Sequence, residues 1–118
     1  MLTKAHATDA GYDLVAQHRG IVRHGEVTVF KTGVYGDVPP GTVGLVFARS
    51  GLGVKRGVRP VNAVGVIDAG YTGEVLVGLT SDKTGERCLI MEGDKIAQLV
   101  YIPLSAYVPG STSDRGNG

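Results

Sequence analysis

Short apolar runs separated by turn-like breaks recur along the whole chain, and this spacing constrains the fold more than any other feature. The breaks fall at Arg19-Gly20, Pro39-Pro40-Gly41, 82–85 and Glu92-Gly93-Asp94. Between them, apolar alternation predicts strands at 13–16, 26–30, 34–38, 43–47, 57–61, 64–67, 74–79, 87–91 and 96–102. A helical turn is expected only over 50–56, with Ser50 as its N-cap. Many short strands at regular spacing indicate an all-β sandwich, jelly roll or small barrel.

The composition fits one β-rich domain and argues against several classes of protein. The 118 residues suffice for one hydrophobic core, and 19 Gly and 5 Pro supply many turns. A net charge of +1 without a Lys/Arg cluster argues against nucleic-acid binding. The apolar runs are too short to span a membrane, and the N-terminus has no secretory h-region. The one cysteine, Cys88, fits a reduced intracellular protein, so we expect a cytoplasmic location.

Residues 61–79 place three polar side chains in an otherwise apolar, glycine-punctuated segment, which we expect to form a β-hairpin. These are Asn62, Asp68 and Tyr71. Polar groups buried in a hairpin are costly unless something pairs with them. An amide, a carboxylate and an aromatic ring would suit a nucleotide pocket. The alternative interpretation is that Asp68 begins an ordinary turn and that Tyr71 is a half-buried strand residue.

Two further groups of polar residues also have both a functional and an ordinary interpretation. Arg49, Ser50 and Gly51 follow a predicted strand. Planar Arg donors beside free N–H groups would bind phosphate, although a capped surface turn has the same residues. Asp9 and Asp13 lie close together and could hold water around Mg²⁺ bridging phosphates, but both residues are also common in turns.

The last predicted strand and the C-terminal stretch carry two more candidates. Gln98 interrupts an apolar run, and if buried it needs a partner, which could be backbone or a reacting water. After Pro103 the chain becomes small, polar and Gly-rich, as in a disordered tail or a mobile arm that orders on a ligand. Arg115 beside glycines would suit phosphate binding in such an arm. We therefore expect a β-domain over 1–104 and a C-terminal strand and mobile arm over 105–118.

Five motifs occur in order along the chain. They read AxDAGYDL at 7–14, ARSGLGVKRGV at 48–58, NAVGVIDAGYTGE at 62–74, GDKIAQL at 93–99 and STSDRGNG at 111–118. Together they resemble the five motifs of the trimeric dUTPases, the deoxyuridine 5′-triphosphate nucleotidohydrolases, over essentially the whole chain. The resemblance implies an all-β, jelly-roll-like subunit in a homotrimer, with active sites between subunits. Such an enzyme cleaves dUTP to dUMP and pyrophosphate with Mg²⁺.

The resemblance also implies roles for the residues of the third and fourth motifs. Asp68 would be the base that deprotonates the water attacking the α-phosphorus in line, and Gln98 would help to hold that water. Asn62 would read the uracil edge. Tyr71 would pack on the deoxyribose, where an added 2′-hydroxyl would clash.

The remaining motifs would bind the triphosphate and the metal. Arg49, Ser50 and Gly51 match the family's phosphate-binding turn, and Arg115 matches the Arg that meets the γ-phosphate. Asp13 matches the carboxylate that engages Mg²⁺ through water only. The ion would therefore be held mainly by phosphates and water.

Two alternatives to this activity stay open. The family's fifth motif continues past Arg-Gly-x-Gly into an aromatic residue that stacks on uracil, whereas this sequence ends at Gly118. One alternative is thus a nucleotide-binding regulatory trimer with little turnover because of a truncated arm, docking on a regulatory protein partner. The other is the related dCTP deaminase, which shares the fold but needs a Glu where this chain has Gly78.

Overall fold

The computed structural model describes residues 11–105, in which β-strands are the main regular structure. The strands in this range are β1 Tyr12–Val15, β2 Gly20–Arg23, β3 Thr28–Tyr35, β4 Thr42–Phe47, β5 Val58–Pro60, β6 Gly65–Ile67, β7 Glu74–Ser81, β8 Arg87–Ile90 and β9 Lys95–Pro103. Helix α1, Ser50–Arg56, lies between β4 and β5. The predicted all-β class is confirmed. Within residues 11–105, no helix is long and apolar enough to span a membrane.

The strands form two sheets and a ribbon. The first sheet has the order β1-β9-β4-β6, the second has the order β3-β7-β5, and the ribbon pairs β2 with β8. All of these ladders are antiparallel, and most join strands distant in sequence, as in a jelly roll. One apolar core draws side chains from both sheets, the ribbon and α1, including Leu14, Val22, Phe30, Leu52, Val77 and Leu99.

Two predicted strands, 26–30 and 34–38, are one strand in the structure. No strand was expected over 31–33, but β3 continues through an irregularity in its pairing with β7 between Lys31 and Tyr35. Gly33 adopts a positive φ of 70° there, which a glycine tolerates without strain. The buried Thr32 hydroxyl donates to the carbonyl of Val75 at 2.6 Å. The strand therefore continues past this irregularity as one element.

The predicted turn at Arg19-Gly20 is wrong, because Gly20 begins strand β2. A Cβ on Gly20 would lie 2.8 Å from two ring carbons of Phe30, which is fully buried. The glycine is needed for this close approach of the strand to the aromatic ring. A sequence pattern cannot distinguish that requirement from the requirement of a turn.

Helix α1 spans the predicted 50–56, but Ser50 is not its N-cap. The N-cap is Arg49, which has extended backbone angles and makes no capping bond with its side chain. The helix begins with the N–H of Gly53 donating to the Arg49 carbonyl at 2.8 Å. The Arg49 side chain pairs with Asp13 instead.

The predicted β-hairpin over 61–79 is also wrong. β6 pairs with β4, whereas β7 pairs with β3 and β5, so the two strands belong to different sheets. Ile67 and Val75 are both buried, each from its own sheet. Residues 68–73 connect the two sheets, and the N–H of Gly36 ties this connection to the end of β3 by donating to the Gly73 carbonyl at 2.9 Å.

Candidate active site

A cavity of about 400 Å³ lies between the two sheets, beside the 68–73 connection. Three of the predicted site residues line it: Asn62, Asp68 and Tyr71. Much of the remaining lining is apolar and includes Val46, Pro60, Ile67, Val75, Leu76 and Val77. A few polar groups placed in an apolar cavity of this size are typical of a small-molecule site.

Asn62 lies in a tight turn that joins β5 to β6. The N–H groups of Ala63 and Val64 donate to the carbonyls of Pro60 at 3.2 Å and of Asn62 at 2.6 Å. Ala63 has a φ of 62°, in the left-handed region that non-glycine residues rarely adopt. Such a conformation costs on the order of 1 kcal/mol and is often found at functional sites. The turn holds the exposed Asn62 at the edge of the cavity.

Asp68 and Tyr71 are joined by a turn in which the Tyr71 N–H donates to the Asp68 carbonyl at 3.1 Å. The Tyr71 hydroxyl donates to the carbonyl of Glu74 at 2.8 Å. The Glu74 carboxylate in turn accepts from the Gly33 N–H at 3.0 Å. Since its hydroxyl is held by backbone, the half-exposed Tyr71 offers a ligand mainly its ring. The Asp68 side chain stays accessible to a reactant.

Asp13, Arg49 and Lys95 form a second polar group, which we call the acid–base cluster. Arg49 Nη1 donates to Asp13 Oδ1, and Lys95 Nζ lies 3.4 Å from Asp13 Oδ2. Asp13 is only 7% exposed, so two cations compensate for the loss of water around its charge. Arg49, Gly51 and Lys95 line a depression of about 270 Å³, and Ser50 is exposed at the start of α1 nearby.

Gln98 lies on β9 opposite Asp13, next to the acid–base cluster. Its side-chain N–H donates to the backbone carbonyl of Ala48 at 3.0 Å. Of the two partners expected for this amide, the backbone one is therefore present. The bond also connects β9 to the residue before Arg49.

The register of the first sheet keeps Gln98 far from Asp68 within one chain. Gln98 pairs with Phe47 on β4, whereas Asp68 follows Ile67, which pairs with Gly44 on the same strand. At about 3.4 Å per residue and about 4.8 Å per strand, the Cα atoms of Gln98 and Asp68 lie more than about 15 Å apart. The predicted site residues that lie within 11–105 thus form two separate groups in one chain.

The side chains of residues 11–105 indicate how the Mg²⁺ ion expected from the sequence would be held. Within residues 11–105, no group of three or more His, Cys, Asp or Glu side chains could hold a metal ion. Both carboxylate oxygens of Asp13 are already paired with cations. These observations fit a Mg²⁺ ion carried by phosphates and water more closely than an ion in a protein cage. Arg115 and Asp9 lie outside the described residues, and their predicted contacts stay predictions.

Sequence reasoning missed two residues of these groups, Lys95 and Glu74. Both stand inside the motifs GDKIAQL and NAVGVIDAGYTGE, but neither was given a role. The position of Lys95, shortly before Gln98 on one predicted strand, was the available signal. Its contact with Asp13 depends on the pairing of β1 with β9, which a single sequence does not reveal. Gly78 also lines the cavity.

The fold and the cavity define a jelly-roll-like β-domain with a polar-edged small-molecule pocket between its sheets. The sequence profile of the dUTPase family matches residues 1–117. The chain belongs to the dUTPase family.

Similar proteins carry the same family name. The deoxyuridine 5′-triphosphate nucleotidohydrolase of Tropheryma whipplei (strain Twist) is 41% identical over 101 residues, which cover 86% of this chain and 69% of that protein. The crystal structure of dUTPase from Streptococcus mutans has a TM-score of 0.81 and 26% identity, covering 92% of this chain and 88% of that one. A mutant dUTPase from phage phi11 of Staphylococcus aureus, described with a structural Mg(II) ion, has a TM-score of 0.79 and 30% identity, covering 92% and 86%.

Proposed function

We propose that this protein hydrolyses dUTP to dUMP and pyrophosphate. The observation that carries the proposal is the meeting of Asn62, Asp68 and Tyr71 at one cavity between the sheets. An amide can donate to and accept from a base edge, a ring can pack on a sugar, and a carboxylate can take a proton. Membership of the dUTPase family identifies the nucleotide as dUTP.

Residues that line the cavity would select both the base and the sugar. Asn62 and the backbone of its tight turn would pair with the uracil edge and leave no room for the methyl group of thymine. Cytosine would leave buried donors and acceptors unpaired, which is the stronger form of discrimination. Because the Tyr71 hydroxyl is bonded to the Glu74 carbonyl, the ring would pack on the deoxyribose and exclude a 2′-hydroxyl.

Asp68 would act as the general base. It would take the proton of a water that attacks the α-phosphorus in line, while the bond from that phosphorus to the pyrophosphate oxygen breaks. Gln98 would help to hold the water. Positioning and charge neutralisation would supply most of the rate, as in phosphoryl transfer generally.

The phosphates would bind at the start of α1, through Arg49, Ser50 and Gly51, with Arg115 reaching the γ-phosphate from the arm. The ion pair with Asp13 involves Nη1 of Arg49, and a guanidinium has further N–H donors for phosphate oxygens. Asp13 would engage Mg²⁺ through water. When bound, that ion would neutralise charge on the phosphates.

We also propose that the active protein is a homotrimer. A site that uses both Asp68 and Gln98 requires two copies of the chain, because the two residues are more than about 15 Å apart in one copy. Exposed Val29 and Leu76 on the second sheet, together with exposed Val27 just before β3, form an apolar surface that another copy would cover. Light scattering should therefore give three times the 12.3 kDa mass of the chain.

We also propose a cytoplasmic location for the protein. Cys88 is a free thiol buried in β8, and an unpaired cysteine is usual in a reducing compartment.

The test is pyrophosphate release in the presence of Mg²⁺ from dUTP, dTTP, dCTP and UTP. We expect kcat/KM for dUTP to exceed that for each of the other nucleotides by at least about 100-fold. Comparable release from dTTP or dCTP would contradict the role of Asn62, and comparable release from UTP would contradict that of Tyr71. Absence of release from a folded trimer would contradict the activity itself.

A further inference from the structure

Gly36 follows the last residue of β3 and lies directly against Tyr71. A Cβ built on Gly36 would overlap the Tyr71 carbonyl oxygen, and it would lie 2.7 Å from the carbonyl carbon and 2.9 Å from ring atom Cδ2. Gly36 does not have a positive φ. The glycine is therefore required for space and not for an unusual backbone conformation.

Gly73 also lies close to Tyr71, next to the hydroxyl end of its ring. A Cβ on Gly73 would lie 2.6 Å from the Tyr71 hydroxyl oxygen and 2.8 Å from ring atom Cζ. The two glycines are bonded to each other, since the Gly36 N–H donates to the Gly73 carbonyl at 2.9 Å. The backbone and the ring of Tyr71 thus lie between two glycines on adjoining segments.

The end of β3 holds this arrangement in place. Tyr35, next to Gly36, pairs with Glu74, next to Gly73, at the end of the β3–β7 ladder. The Glu74 side chain accepts from the Gly33 N–H at 3.0 Å, and the Glu74 carbonyl accepts from the Tyr71 hydroxyl at 2.8 Å. A shift of β3 against β7 would therefore move the Tyr71 ring in the cavity.

This close contact is not general to the glycines of the molecule. A Cβ on Gly70, one residue before Tyr71, would meet nothing within 4 Å, and the same holds for Gly51 in α1. Among the glycines in the described part of the chain, Gly36 makes the closest approach to another segment. That segment carries Tyr71, the residue that is proposed to pack on the deoxyribose.

We propose that Gly36 and Gly73 are positioning residues that fix the depth of the Tyr71 ring in the cavity and thereby set the preference for dUTP over UTP. The inference rests on the sugar contact proposed for Tyr71. A side chain at either glycine would displace the ring and open space for a 2′-hydroxyl. Misplacement of a contacting group by about 1 Å is enough for a large change in selectivity.

The test compares Gly36→Ala, Gly73→Ala and Tyr71→Ala, with Gly53→Ala as the matched glycine control. A Cβ on Gly53 has its nearest neighbour at 3.9 Å, so this variant should keep the selectivity of the original protein. For Gly36→Ala and Gly73→Ala we expect the ratio of kcat/KM for dUTP over UTP to fall about tenfold. For Gly73→Ala, whose Cβ has side-chain atoms of Tyr71 as its three nearest neighbours, KM for dUTP should rise while kcat changes little.

The outcomes separate this inference from the proposed function. If Tyr71→Ala leaves the dUTP-over-UTP ratio unchanged, the sugar contact is wrong and the inference falls with it. If Tyr71→Ala lowers the ratio but the folded glycine variants do not, only the positioning role is wrong. Should Gly36→Ala fail to fold, Gly73→Ala decides, since the three nearest neighbours of its Cβ would be side-chain atoms of Tyr71. In a Tyr71→Ala background Gly73→Ala should then have no further effect, and a further fall in the ratio would contradict the positioning role.

Discussion

The guanidinium of Arg49 is ion-paired with the carboxylate of Asp13, which joins the N-cap residue of α1 to the first strand. Lys95 adds a second positive charge 3.4 Å from the same carboxylate. Arg49 and Asp13 come from different sequence motifs. Arg49 is proposed to bind phosphate, and Asp13 is proposed to approach the metal through water. The ion pair therefore fixes the position of one motif relative to the other.

Asp13→Asn should lower the free energy of unfolding by about 1–2 kcal/mol. The substitution keeps the shape of the side chain but leaves Arg49 and Lys95 without their counter-charge. The cost is below that of a fully buried pair, since the side chains of Arg49 and Lys95 are 32% and 51% exposed. Urea denaturation followed by circular dichroism measures the difference.

Asp82→Asn is the matched control for that experiment. Asp82 pairs with Arg59 at 3.0 Å, with side chains 56% and 44% exposed, and the loss of such a surface pair should cost no more than about 0.5 kcal/mol. If the two variants lose the same stability, the acid–base cluster contributes no more than an ordinary surface ion pair.

Asp68→Asn should abolish most of the turnover while leaving nucleotide binding intact. As general base, the carboxylate should contribute a factor of about 10²–10⁴ to kcat. An Asn of the same shape should still allow a non-hydrolysable dUTP analogue to bind with an affinity near that of the original protein. Calorimetric titration and pyrophosphate release measure the two quantities. Near-normal kcat in Asp68→Asn would show that another group takes the proton.

Two glycines at helix α1 should respond to alanine in opposite directions. Gly53 lies inside the helix, and a Cβ there would meet its nearest neighbour at 3.9 Å, an ordinary van der Waals contact, so Gly53→Ala should stabilise the protein by about 0.5–1 kcal/mol. Gly57 is the C-cap with a φ of 70°, and a Cβ there would lie 3.0 Å from Lys83 Cγ. Gly57→Ala should therefore destabilise by about 1 kcal/mol or more. Urea midpoints that move in the same direction would contradict this assignment of the two glycines.

Much of the fold follows from local pattern, and the errors arise where a residue serves a distant contact. Alternation located strands such as β4 and β9 within one or two residues. Gly20 was interpreted as a turn because its close approach to Phe30 is a contact across the fold. The hairpin expected over 61–79 failed for a similar reason. Adjacent strands usually pair, but here the partners of β6 and β7 are strands from elsewhere in the chain.

The site shows the same division between local and non-local information. The motifs identified the residue types, and the structure places Asn62, Asp68 and Tyr71 at one cavity, as the third motif suggested. The separation of Asp68 from Gln98 depends on β4 lying between β6 and β9, a pairing that no short motif encodes. The two glycines around Tyr71 depend likewise on how β3 meets β7.

Removal of Mg²⁺ should stop turnover without unfolding the protein. Residues 11–105 contain no cluster of three potential metal-ligating side chains. We therefore expect no metal ion that contributes to the folding stability of that part of the chain. With EDTA in excess we expect loss of pyrophosphate release from dUTP and an unfolding midpoint that changes little. A large fall in that midpoint would reveal a structural ion instead.

The buried thiol of Cys88 should make stability depend on alkaline pH. Burial raises the pKa of Cys88, an effect that Arg56 partly opposes and Asp94 reinforces. As pH rises, the unfolded chain releases this proton first. The contribution is therefore complete below the ordinary thiol pKa and is lost as pH rises from there through the folded pKa.

Cys88→Val removes the thiol at similar volume and isolates this contribution. Between about pH 8 and pH 10, the free energy of unfolding should fall more steeply in the original protein than in Cys88→Val. Burial also raises the pKa of Tyr101, but that residue is present in both proteins and its contribution cancels in the comparison. Urea denaturation across this pH range measures the difference. Identical slopes would mean that the thiol has the same proton affinity in the folded and unfolded states, against the burial of Cys88 in β8.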